Sequence, residues 1–127
     1  MRAFVAWVLS VLLALTFFSM GVEKLMDEPM MAGLFRLFGY PPWSMVLVGL
    51  IEIAGAVLVL VPRMAHVGAF MLGCIMVGAI YSHLTHGQAY LVAGPSILLA
   101  MAIALGALRH WGRILSLIHI SEPTRPY

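Results

Sequence analysis

Long apolar stretches separated by short polar breaks order this chain: residues 3–22, 43–62, 65–83 and 95–108. A predominantly apolar run of roughly 20 residues crosses about 30 Å of hydrocarbon at about 1.5 Å per residue. Membrane-spanning helices are therefore predicted for all four. The second stretch is the clearest, PPWSMVLVGLIEIAGAVLVLVPR over residues 41–63, with proline at both ends. Its one acid, Glu52, lies about ten positions from either end, near the midplane of a straight helix.

The breaks carry their own signals. Glu23 and Lys24 end the first run, and Asp27-Glu28-Pro29 follow. Asp27 or Glu28 can cap a new helix with Pro29 at its first position. Residues 30–38, MMAGLFRLF, are apolar but too short to span. They predict an amphipathic piece at the interface, with Arg36 reaching to water. Gly39-Tyr40-Pro41-Pro42 stops that piece. Residues 62–65 form a tight turn, so the second and third spans are an antiparallel hairpin. Ala65, Ala69 and Gly73, then Cys74 and Gly78, give the third span small residues about one turn apart. Gly49, Gly55 and Ala56 on the second span are expected to meet them closely. The fold class is all-α: an up-down, four-helix integral membrane bundle over residues 1–114, with a short interfacial helix between spans one and two.

Composition agrees with this picture. The chain is 63% hydrophobic and 9% charged, against about a quarter charged in soluble domains. The first run follows Arg2 as a signal peptide would. It is longer than a signal h-region, and residues 18–21 are not a small-x-small cleavage site, so a retained helix is expected. The basic residues are scattered, which argues against nucleic acid. Arg2, Arg63, Arg109 and Arg113 lie on one side of the predicted membrane, against Lys24 and Arg36 on the other. The positive-inside rule then puts both termini in the cytoplasm. One cysteine, Cys74, excludes an intramolecular disulfide or dithiol pair. The ten methionines lack the clustering of a copper site and read as packing filler.

The last stretch stands apart. LSLIHISEPTR, residues 115–125, looks like the in-frame translation of a transposon end and adapter from a tagmentation sequencing library. Residues 115–127 are expected to be foreign, and His119, Glu122 and Arg125 to carry no functional weight.

Four polar residues are the candidates for function: Glu52, Lys24, His83 and His86. An acid inside the bilayer faces the protein with a partner or is protonated. Glu52 is thus either a proton- or ligand-handling group or a packing lock bonded to Thr16 or Ser19. Lys24 is a counter-ion or an interfacial anchor. Its place near the surface, with Glu52 about 13 Å below Trp43, argues against a direct pair. His83 and His86 share a face if the helix continues, as metal or haem ligands sometimes do. With no cysteine or acid near them, they read as interfacial residues closing the helix. Tyr40, Trp43, Tyr81 and Tyr90 fit an aromatic belt. No phosphate loop, nucleophile elbow or zincin motif occurs, so no catalytic residue and no metal site is assigned.

FFSMGVEKL (17–25), FGYPP (38–42), GLIEIAGAVLVLVPR (49–63) and MVGAIYSHL (76–84) resemble the DoxX and DoxX-like family. The matched positions are Gly21, Lys24, Gly39 with Pro41, Glu52 with Gly55 and Leu58, Pro62-Arg63, Ala79 and His83. The resemblance covers about residues 4–110, and the short loop at 84–94 favours the DoxX-like subgroup. It implies a small four-helix protein of the bacterial inner membrane with no activity of its own and no established cofactor ligands. Some relatives are subunits of quinone-linked oxidase complexes, so a quinone held through a partner, and an oligomer, are what the resemblance leaves open. Three functions follow: an accessory subunit of a membrane redox system, a proton- or cation-coupled transporter, and a scaffold recruiting a partner enzyme.

Overall fold

The computed structural model describes residues 1–120, apart from the side chains of residues 112, 113, 115, 116, 119 and 120. It holds α1 (Arg2–Leu25), α2 (Pro29–Leu37), α3 (Pro42–Val59), α4 (Ala65–Thr85) and α5 (Ala93–Ile120), with a 3₁₀ turn at Ala89–Leu91. The four long helices are each long and apolar enough to cross a membrane. They form the expected all-α bundle. α1 packs on α3, α3 on α4 and α4 on α5, and α5 closes back on α1. Leu13, Phe17, Val59, Leu72 and Leu105 fill the centre. The outer face carries exposed Leu15, Phe18, Leu50, Phe70 and Ile103. A soluble monomer rarely leaves so much apolar surface uncovered, whereas lipid tails solvate it.

Close helix approach depends on glycine at two crossings. Between α3 and α4, a Cβ built on Gly68 would stand 2.9 Å from the Gly55 carbonyl oxygen. Between α1 and α3, a Cβ on Gly21 would stand 2.7 Å from the Gly49 carbonyl oxygen. This corrects two expectations. Gly49 meets α1 rather than α4. Gly73 meets Leu99 of α5, and Gly78 has nothing within 4 Å of a built Cβ. Spacing four marks a narrow stripe but does not say which neighbour fills it.

The short helix forms as its ends dictate. The Glu28 carboxylate accepts from the Met31 backbone N–H at 2.9 Å, and Pro29 opens the helix. At its end Tyr40 N–H donates to Phe35 O and Gly39 N–H to Arg36 O, with Gly39 at φ 80°. That is the Schellman stop, which favours glycine in the left-handed position. α1 ends in the same way: Glu28 N–H donates to Glu23 O and Asp27 N–H to Lys24 O, with Asp27 at φ 54°.

The fourth long helix runs past the predicted span. The apolar pattern suggests an end near Leu108, but α5 continues to Ile120. Arg109 and His110 mark a change of polarity, and neither breaks a helix. The expectation of a foreign tail falls partly on residues 121–127, which lie outside the described residues.

Candidate functional site

Lys24 and Glu52 form the centre of the site. Lys24 Nζ lies 2.9 Å from Glu52 Oε1, with side chains 6% and 0% exposed. The expectation that depth keeps them apart is therefore corrected. The Gly21–Gly49 contact sets the register, and Lys24 Cβ stands 3.0 Å from a Cβ built on Gly49. Gly49 is six residues past Trp43 in α3, about 9 Å of rise. So α1 stops about that far inside the start of α3, and Lys24 is already below the rim. Glu52 is one turn further, within reach of an extended lysine. Thr16 and Ser19 give Glu52 no hydrogen bond among the described residues.

Lys24 Nζ is the partner of Glu52 Oε1, at 2.9 Å, among the described residues. Oε2 has no donor there. A buried carboxylate of this kind has capacity left for a donor, since each oxygen accepts more than one bond.

The pair borders a partly open cavity of about 550 Å³ lined by α1, α2, α3, α4 and the start of α5. α2 forms its roof. Met31, Leu34 and Phe35, with Phe38 just beyond, line it at the spacing of one helical stripe. Arg36 is exposed on the opposite side, as expected. The amphipathic segment is thus a cover over a cavity, and its apolar side meets protein.

Tyr40 and Ser82 fasten that cover. Their hydroxyls are in hydrogen-bond contact. Ser82 Oγ donates to Gly78 O at 2.9 Å, so Tyr40 supplies the proton to Ser82. Ser82 is buried on α4. Tyr40, expected in an aromatic belt, instead reaches back from the loop after α2. Its ring also stands edge-on to Phe35 and Phe38, at 5.8 and 5.9 Å.

The two histidines part company. His83 lines the cavity, and its Nδ1 lies 2.8 Å from Gln88 Oε1. The amide oxygen accepts, so Nδ1 carries the proton in this contact. His86 is exposed and does not line the cavity. Its Nδ1 donates to Ser82 O at 2.8 Å. α4 ends at Thr85, so the continued helix face on which they would act together is not present. Phe38 touches both rings, at 5.5 and 4.8 Å. No group of three or more His, Cys, Asp or Glu suited to a metal occurs among the described residues.

The structure therefore joins Lys24, Glu52 and His83 around one cavity and leaves His86 at its edge. Tyr40 and Ser82 are the site residues that pattern alone missed. The signal for them is thin: a serine two positions after Ile80 in the last turns of α4, and a tyrosine beside a glycine stop.

No curated protein and no solved structure matches this chain. A sequence profile described as the DoxX-like family matches residues 8–105, which include Lys24, the whole of α3 and His83. The chain belongs to the DoxX-like family.

Proposed function

We propose that this protein binds a small, mostly apolar molecule with a polar ring head in the cavity under α2. The head sits against Lys24 and Glu52 and the tail lies along the apolar walls. A lipid quinone has that chemistry. On this reading the chain is an accessory subunit of a membrane redox system in a bacterial inner membrane, with both termini cytoplasmic. Electron transfer belongs to the partner. The observation that carries the reading is a partly open cavity of about 550 Å³ whose wall holds a fully buried carboxylate with an oxygen that lacks a donor among the described residues. Ligand sites are mostly apolar hollows of roughly 300–1,000 Å³ with a few convergent polar groups.

The test is equilibrium binding of a short-chain benzoquinone to the full chain in nanodiscs, followed by tryptophan fluorescence. Saturable binding is expected, weakened at least tenfold by Phe38→Ala and by Glu52→Gln. Absence of saturable binding to the unaltered protein overturns the reading.

The Oε2 atom without a donor also favours a second reading, in which Glu52 carries a proton or cation across the bundle. Flux into liposomes that Glu52→Gln abolishes, without quinone binding, selects it. If neither binding nor flux occurs and a partner enzyme co-purifies, the scaffold reading replaces both.

A further inference from the structure

A second hollow lies at the opposite end of the bundle. Its volume is about 1130 Å³, and it is set between the start of α1, the turn from α3 to α4, and α5 at Leu108 and Arg109. Arg2, Arg63 and Arg109 line it, together with His66. Among the described residues no acid lines it. Glu23, Asp27, Glu28 and Glu52 all belong to the other half of the molecule, on the far side of α1 and α3. Among the described residues no carboxylate answers these arginines.

Arg109 is the most telling of them. Its guanidinium carbon stands 5.0 Å from the centre of the Trp7 ring. Its Nε and Nη2 are closed off from solvent and have no acceptor among the described residues. A guanidinium over an aromatic ring, with nitrogens that have no acceptor among the described residues, keeps capacity to bind an anion. Two helix starts add to the field. α1 and α4 both begin at this hollow, and neither has a side-chain cap. Uncapped amides at a helix start favour an anion.

We propose that this hollow is a binding site for a phosphate group, in which Arg2, Arg63 and Arg109 hold the oxygens and the starts of α1 and α4 face the charge. Arginine forks suit phosphate oxygens in pairs. The walls below the arginines are apolar, with Ala3, Ala6, Val67 and Leu108. That suits the glycerol and upper acyl carbons of an anionic phospholipid, while a free phosphate shares the same head chemistry. The site is distinct from the cavity under α2 and does not depend on the function proposed for that cavity.

The experiment is native mass spectrometry of the full chain exchanged into an equal mixture of dioleoyl phosphatidylglycerol and dioleoyl phosphatidylcholine. The phosphatidylglycerol adduct is expected to exceed the phosphatidylcholine adduct at least tenfold. Arg63→Gln, at an exposed position, is expected to cut that preference severalfold while leaving the melting temperature in phosphatidylcholine unchanged. Arg2→Gln is the second such variant, and Arg109→Gln the strongest. Millimolar inorganic phosphate is then added to the loaded protein. Persistence of the lipid adduct assigns the site to a lipid headgroup. Its displacement, with phosphate bound in its place, assigns it to free phosphate. Equal retention of the two lipids with no effect of phosphate overturns the proposal, as does a preference that survives both Arg63→Gln and Arg2→Gln.

Discussion

Gly21 and Gly49 meet backbone to backbone: a Cβ built on Gly49 would stand 2.9 Å from the Gly21 carbonyl oxygen, and one on Gly21 2.7 Å from that of Gly49. Carbonyl oxygens on helices cannot step aside as a flexible side chain does. Gly49→Ala is therefore expected to destabilise the bundle by about 1–3 kcal/mol. It should also loosen the Lys24–Glu52 pair, which depends on this crossing. Gly78→Ala is the control, since nothing lies within 4 Å of its built Cβ; it is expected to be neutral or stabilising by about 0.5–1 kcal/mol. Denaturant unfolding in detergent compares the two. Equal stability of both variants would remove the crossing from the account.

The ion pair makes an asymmetric prediction. Taking away one partner leaves a buried charge alone, at about 3–5 kcal/mol. Lys24→Met and Glu52→Leu are each expected to lose that much. The double variant is expected to recover most of it, because well-packed apolar residues often replace a buried pair without loss. A full double-mutant cycle by thermal unfolding reads the coupling. Additive losses would mean that the two residues act independently.

Tyr40→Phe tests the fastening of α2. It removes one hydrogen bond to a buried hydroxyl and keeps the ring contacts. The expected loss in overall stability is about 0.5–1.5 kcal/mol. The larger effect is expected in amide hydrogen exchange, which should quicken over residues 29–41 and stay unchanged in the middle of α3. Unchanged exchange over α2 would show that its apolar contacts hold the cover without this hydrogen bond.

Residues 115–127 make a prediction about the gene. We propose that the natural chain departs from this sequence after about residue 114. A single long read across the native locus would then encode different residues there. Recovery of SEPTRPY, residues 121–127, in that read would establish the tail as native.

Much of the fold was legible because lipid solvates a helix on simple terms. Each span is a run of apolar residues long enough to cross, and Pro41, Pro62 and Pro95 punctuate the starts and turns. Glu28 and Pro29 announced α2 for equally local reasons. The site was legible only as a set of polar residues. Lys24, Glu52 and His83 could be singled out by their rarity inside apolar runs. Their distances could not, since a vertical offset between helices comes from the crossing, and the crossing was assigned to the wrong neighbour of Gly49. Tyr40 escaped for a related reason. A tyrosine near the membrane rim looks the same in sequence whether it turns to the headgroups or back onto Ser82.

The pairing of Lys24 with Glu52 bears on how the chain enters the bilayer. An acid near the centre of a span costs about 2.5–3.5 kcal/mol on insertion when nothing answers it. α3 carries that acid and has no basic residue of its own among Pro42–Val59. α1 precedes it in the chain and brings the ammonium. Synthesis from the N-terminus thus delivers the cation before the anion needs it. A circular permutant that presents α3 first would have to admit Glu52 unaccompanied, so gene order here is part of the electrostatics of the finished bundle.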